Sequence, residues 1–251
     1  MMELRICRRP ERPRPPQGPK SPMRPDRSRD GRRFLLPALV VVTVSGALPP
    51  AGLFAQDERA YEVLETASER YWELETLCAR FHQEIEVTLL GQTRSGEGRL
   101  CQRQPAEFSM RFSDPEGDLV VVDGEFLWTF YPSMDARQVM RFAAAGAEGR
   151  FNFYKNLLED PRGRFAATYQ GVEDLAERPS HRLTVTPRGA EAFRSAVVWI
   201  DVESDLITGV DVHDANESIR RVRLTDIRVN IDVPESEFRF VPAPGARVMS
   251  R

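Results

Sequence analysis

Residues 98–132 read GRLCQRQPAEFSMRFSDPEGDLVVVDGEFLWTFYP, and their pattern decides the fold. Phe108, Met110 and Phe112 alternate with Glu107, Ser109 and Arg111, the period-two signature of a strand with one buried face. Asp114-Pro115-Glu116-Gly117 is a four-residue turn, because Pro fixes a negative φ and Gly tolerates a positive one. Leu119 to Val122 is an apolar run with three β-branched valines, and Asp123-Gly124 follows it, the strongest short hairpin signal in the chain. Phe126, Trp128 and Phe130 then share one parity. The whole stretch predicts an antiparallel meander with one heavily aromatic face, carrying Phe108, Met110, Phe112, Phe126, Trp128 and Phe130 together.

Working outward, the spacing upstream predicts an amphipathic helix over 58–78. Val63, Leu64, Ala67, Tyr71, Leu74, Leu77 and Cys78 form its apolar stripe, with Asp57 placed to cap it. The period then switches. Phe81, Gln83, Ile85 and Val87 alternate with charged residues and His82 over 79–89, and 91–98 reads as a polar hairpin loop. Downstream, a strand is expected over 138–143 and a short helix over 149–160. Phe151, Tyr154, Leu157 and Leu158 form the stripe of this helix, and Pro161 and Gly163 stop it. Five further strand runs fall at 165–170, 182–186, 196–201, 206–212 and 218–229, and residues 238–245 form an extended tail. With turns roughly every 8–12 residues, the expectation is an α+β chain built on one large antiparallel sheet of about 11 strands. Two helices cannot cover both faces of such a sheet. It should curl, with the helices over its concave mouth.

Charge divides the chain unevenly. Residues 1–55 hold 11 basic and 4 acidic side chains, whereas the remainder holds 24 and 34. An acidic body without a basic stripe speaks against nucleic-acid binding, which needs cations to replace phosphate counterions. Residues 1–31 are Arg- and Pro-rich with few apolar side chains, so they read as a disordered extension or as sequence ahead of a later start such as Met23. Arg32-Arg33 precede a 22-residue apolar stretch ending at Ala55. Pro37, Pro49 and Pro50 interrupt it, so residues 32–55 read as an export signal cleaved after Ala55 rather than a membrane span. No cysteine closes that stretch, so no lipid anchor is expected. The domain proper is then 56–251, and the expected compartment is the periplasm.

Cys78 and Cys101 remain after such processing, and in an oxidising compartment the pair suggests a disulfide. Two buried free thiols are the alternative. Catalytic signals are sparse. None of His82, His181 and His213 has a second His or Cys at metal-ligand spacing. No Gly-x-Ser-x-Gly, phosphate-binding loop or dinucleotide fingerprint occurs. Carboxylate pairs such as Asp201 and Glu203 fall at strand ends, where they serve turns. Neither an enzyme nor a cofactor is expected. What is left is the aromatic face, whose plain reading is core.

Several of these pieces resemble one family. Phe81-His82-Gln83, Gly98-Arg99-Leu100, Pro105-Ala106-Glu107-Phe108, Asp114-Pro115, Asp123-Gly124-Glu125-Phe126-Leu127-Trp128, Tyr131-Pro132 and the tail Phe238-Arg239-Phe240-Val241-Pro242-Ala243-Pro244-Gly245 are similar, in order and spacing, to the motifs of the periplasmic outer-membrane lipoprotein carriers of the LolA family. The resemblance implies an unclosed β-barrel lidded by helices, with a cavity for acyl chains. It also implies a soluble, monomeric carrier that accepts lipoproteins from an inner-membrane LolCDE-type exporter and passes them to a LolB-like outer-membrane acceptor. An acyl chain gains about 0.8 kcal/mol per buried CH2, so such a carrier needs an apolar concavity and no catalytic group.

On this reading the cavity is expected to be lined by Phe81, Ile85, Phe108, Met110, Phe112, Phe126, Trp128, Phe130 and Trp199 from strands, with Leu74, Phe151, Tyr154 and Leu158 from helices. One departure concerns the lid. The family has an Arg before the proline matched by Pro105, where this chain has Gln104, expected to make a weaker, uncharged lid contact. Arg103 is one residue off and should point to the opposite face. The rival reading is a lipid- or lipoprotein-sensing regulatory module on the same scaffold, which would need a signalling partner.

Overall fold

A computed structural model describes residues 51–145, 153–189 and 193–250. The extension 1–31, most of the export signal and Phe151 lie outside the described residues, and of Tyr154 only the backbone is described. In chain order the elements are α1 (Ala51–Trp72), β1 (Thr76–Val87), β2 (Gln92–Arg103), β3 (Glu107–Asp114), β4 (Leu119–Asp123), β5 (Phe126–Phe130), α2 (Pro132–Asp135) and β6 (Gln138–Ala143). Then come α3 (Phe153–Leu158), α4 (Pro161–Arg164), β7 (Phe165–Leu175), β8 (Arg178–Pro187), β9 (Phe193–Asp201), β10 (Ile207–Asp214), β11 (Ile219–Val229) and β12 (Arg247–Ser250).

All twelve strands form one sheet in the order β12-β6-β5-β4-β3-β2-β1-β11-β10-β9-β8-β7. Two hairpin meanders, β1–β6 and β7–β11, are sewn together where β1 pairs antiparallel with β11. Sequential pairing of this kind follows from short turns, since neighbours in sequence close the smallest loops. The outer strands β12 and β7 do not meet, so the sheet is an unclosed barrel. Register breaks at Cys78/Arg80, Glu97/Gly98 and Ile207/Gly209 are bulges, which bend strands and add twist. At the second of these, a Cβ on Gly98 would stand 2.0 Å from the Arg111 carbonyl oxygen, so only glycine fits the β2–β3 approach.

The structure corrects several expectations of local structure. α1 ends at Trp72, so Leu77 and Cys78 belong to β1; their helical spacing is overridden by the cross-strand pairs Leu77↔Gln102 and Cys78↔Cys101. Asp57 sits inside α1, where it accepts a bond from the Thr168 hydroxyl at 3.1 Å. Residues 92–98 are strand rather than loop. They are mostly exposed, so no burial pattern marks them. The tail adds β12, which pairs parallel with β6. Its four residues are all exposed, which is why alternation could not reveal it.

Register assigns each strand residue to one of two faces. The inner face carries Leu77, Ala79 and Phe81 of β1, Leu100 and Gln102 of β2, Phe108, Met110 and Phe112 of β3, and Val120 and Val122 of β4. It continues through Leu224 of β11, Val210 of β10, Val198 of β9 and Leu183 of β8. α1 lies over the β7–β10 part, where Leu64, Ala67 and Tyr71 join Phe165, Leu183, Val198 and Val210 in one buried cluster.

The outer face is crossed by residues 231–240. There Ile231, Val233 and Phe238 pack against the joined pair Cys78–Cys101, whose Cα atoms are 4.1 Å apart. Arg111 donates to the carbonyls of Ser236, Glu237 and Arg239. Arg103 binds the Val233 carbonyl and lies 4.7 Å from the centre of the Phe238 ring. These bonds make a strap that satisfies backbone acceptors lacking a sheet partner.

Candidate functional site: the apolar face under the first helix

Five of the nine strand residues expected to line a cavity lie on the inner face: Phe81, Ile85, Phe108, Met110 and Phe112. Phe81 and Phe112 meet edge-to-face at 4.9 Å between ring centres. Leu74 packs in the same cluster, and Leu158 packs with α1.

The other four strand residues are on the outer face, and this corrects the expectation of one common aromatic face. Trp128 is paired with Val121 and Phe130 with Leu119, whereas the inner residues of β4 are Val120 and Val122. Phe130 and Trp128 instead hold the strap through Phe240, at 5.6 and 5.9 Å between ring centres. Phe126 carries the Arg141 guanidinium at 4.5 Å. Trp199 lies opposite Gly209; Arg223 stacks on its ring at 4.5 Å, and its Nε1 donates to Glu173 at 2.6 Å.

Residues that the sequence did not single out complete the inner site. Below the C-terminal half of α1 lies a cavity of about 20 Å3 between Ala67, Tyr71, Leu100, Leu158, Leu206 and Leu224. One buried polar contact crosses it: the Tyr71 hydroxyl donates to Gln102 Oε1 at 3.1 Å. A second tether joins α1 to α3, where Ser68 Oγ donates to the Leu158 carbonyl at 2.7 Å. Gln104, the expected lid contact, has its side-chain Nε2 buried with no hydrogen-bond partner among the described residues. Gln102 takes that place two residues earlier, on the same face of the strand. Alternation could have flagged Gln102 as an inward amide in an apolar row, but only the packing of α1 supplies its partner.

The part of α1 up to Glu65 is fixed more firmly. Tyr61 Oη donates to the Phe165 carbonyl at 3.0 Å, and Arg188 donates to Tyr61 Oη at 2.8 Å. Arg162 of α4 pairs with Glu58 and Glu65 and lies 4.4 Å from the Tyr61 ring centre. At the far end of the inner face, the Tyr169 hydroxyl and His181 Nδ1 are 2.9 Å apart. Burial, and then the nearby Arg59, hold the His181 pKa below the usual imidazole value, so this imidazole is neutral at neutral pH. Among the described residues no group of three His, Cys, Asp or Glu is placed to hold a metal, and no helix is long and apolar enough to cross a membrane.

Removing the Tyr71 hydroxyl probes how α1 is held. Tyr71→Phe loses a buried neutral hydrogen bond to Gln102 Oε1, which should weaken the packing of α1 on the sheet by about 1–3 kcal/mol. Hydrogen exchange across 64–72 should accelerate while β8 and β9 stay protected. Unchanged exchange there would mean that this contact does not hold α1.

Comparison with known proteins places this geometry in a family. Residues 73–241 match the model of the outer membrane lipoprotein carrier protein LolA. The chain is 26% identical over 189 residues to an outer-membrane lipoprotein carrier protein of Halorhodospira halophila, covering 74% of this chain and 84% of that protein. It is 25% identical over 188 residues to the corresponding carrier of Legionella pneumophila, covering 71% and 85%. An uncharacterized conserved protein of Thermus thermophilus shares the fold, with a TM-score of 0.51, 13% identity, and coverage of 77% of this chain and 99% of that one. With the family model spanning both sheet halves and the strap as far as Val241, this chain belongs to the LolA family of outer membrane lipoprotein carrier proteins.

Proposed function

We propose that this protein is a soluble periplasmic carrier. It receives acylated lipoproteins from an inner-membrane LolCDE-type exporter, shelters their acyl chains against the inner face, and delivers them to a LolB-like acceptor at the outer membrane. The observation that carries this reading is the asymmetry of α1. As far as Glu65 it is fixed by bonds to Phe165, Arg188 and Arg162. Its last turns, from Thr66 on, are held by apolar contacts with the inner face and by the Tyr71 and Ser68 bonds.

The closed cavity of about 20 Å3 holds no more than a water, whereas ligand pockets typically measure about 300–1,000 Å3. Loading therefore requires α1 to lift. The energetics permit it. Burying about ten methylenes returns ~8 kcal/mol, while two neutral hydrogen bonds are worth roughly 1–3 kcal/mol together. An acyl chain replaces the helix as cover for Leu77, Leu100, Leu206 and Leu224, so little inner surface need meet water during the exchange. The contacts are non-directional, so release to an acceptor with a larger apolar surface is also possible.

Filling the cavity tests the site. Ala67→Trp puts an indole where Ala67 now borders the void, and it should abolish saturable binding of a fluorescent acyl probe. Tyr71→Phe should speed its uptake. Probe binding unaffected by Ala67→Trp would place the ligand elsewhere. The transport role is tested separately: depletion of the protein in its host should leave acylated lipoproteins in the inner-membrane fraction, and an unchanged distribution would remove the role.

A further inference from the structure

On the outer face, three arginines stand side by side on neighbouring strands. Arg80 of β1 is in register with Arg99 of β2, and Arg99 with Arg111 of β3. Strands are roughly 4.8 Å apart, so three cationic stems leave the sheet within about 10 Å of one another. Like charges directly opposite across a ladder oppose folding. In a chain whose body is acidic, such a row persists against local preference, a pattern found where a site uses it.

The three are not equally occupied. Arg111 is spent on the strap, bonding the carbonyls of Ser236, Glu237 and Arg239 and pairing with Glu237 at 3.3 Å. Among the described residues Arg99 reaches only a disulfide sulfur, Cys78 Sγ, at 3.4 Å. Arg80 is exposed and makes no side-chain hydrogen bond or ion pair among the described residues. Glu97 borders the same groove but pairs with neither. Arg223 is held by Asp211 at 2.6 Å, and Arg228 by Asp226 at 3.3 Å. Together these side chains line a groove of about 770 Å3, walled on one side by Ile231 of the strap.

We propose that this groove binds a phosphate group, through the paired forks of Arg80 and Arg99. A carboxylate offers two oxygens and satisfies one guanidinium. A phosphate offers three or four around a tetrahedron and can accept from two neighbouring forks at once. The same chemistry is presented by free phosphate and by the head group of an anionic phospholipid. The site lies on the face opposite the acyl-binding surface and does not depend on that reading.

The test uses the full mature chain and the double variant Arg80→Gln/Arg99→Gln. In chloride alone the variant should melt no lower than the wild type, because it loses opposed charges and no ion pair. Sodium phosphate, at ionic strength matched with sodium chloride, should raise the wild-type midpoint saturably. The double variant should bind phosphate at least about tenfold more weakly. Arg80→Lys/Arg99→Lys keeps the charge but not the forks and should also bind more weakly than wild type.

Flotation with phosphatidylglycerol-containing vesicles separates the sources. Binding that inorganic phosphate competes away assigns the site to a head group; saturation by phosphate without vesicle binding assigns it to the free ion. Equal responses of wild type and the Gln variant to phosphate would overturn the proposal. So would a Gln variant that fails to fold, a Lys variant that binds like wild type, or a groove that takes a polyglutamate peptide and ignores phosphate.

Discussion

Phe238→Ala is expected to destabilise the protein by about 3–5 kcal/mol and to free the strap from the outer face. The ring is 0% exposed. It fills the space between the joined Cys78–Cys101 pair, Val233 and the Arg103 guanidinium. Truncation leaves a cavity that the disulfide cannot collapse into, because both cysteines are fixed on paired strands. The loss should spread along the chain. Arg111 holds the carbonyls on both sides of Phe238, Phe240 sits on Trp128 and Phe130, and β12 hangs on β6 only beyond that point. Urea unfolding should report the energy, and hydrogen exchange should show lost protection from Val233 to Ser250 with β8 and β9 unaffected. A cost below about 1 kcal/mol, the scale of an ordinary surface change, would show that the strap does not depend on this anchor.

Removing the cross-link should have the next largest effect. Cys78 and Cys101 are 23 residues apart in sequence, and the chain-entropy model assigns a loop of that size about 3 kcal/mol. Cys78→Ala/Cys101→Ala should lower the unfolding free energy by roughly that amount. Reduction of the wild type should bring it to the same midpoint, whereas the variant should not respond to reductant. Equal midpoints for oxidised and reduced wild type would remove the stabilising role. Because the sulfurs and Phe238 share one cluster, the triple variant should lose less than the two effects added, as neighbours in contact do. Full additivity would indicate that the strap and the cross-link act independently.

For the aromatic residues of β5 the cavity expectations depart from the structure at one identifiable point. Reading 114–117 as a four-residue turn implies that Phe112 faces Leu119, which puts Val121, and with it Trp128, on the face of Phe108. The observed register pairs Met110 with Val120 and Arg111 with Leu119, and the Phe112 amide donates to the Asp118 carbonyl at 2.9 Å. The connection is longer by one residue, and a shift of one residue turns every later side chain to the opposite face. Trp199 departs for a different reason. Its size reads as core, but α1 approaches the sheet over Ala196 and Val198, where smaller side chains let a helix come close. The indole is covered by the Arg223 and Arg182 side chains instead.

By itself the sequence determined the order of elements, the long open sheet and the apolar row Phe81, Phe108, Met110 and Phe112, because alternation and turn chemistry act between residues close along the chain. Only the tertiary structure decided which face each later strand presents, that Gln102 rather than Gln104 meets the helix, and that the tail straps the outer face. Those outcomes rest on one-residue register choices and on contacts between segments more than a hundred residues apart, such as Arg103 with Phe238 and Tyr61 with Phe165. Local pattern carries no record of such partners, since each is selected by whatever surface the rest of the chain leaves uncovered.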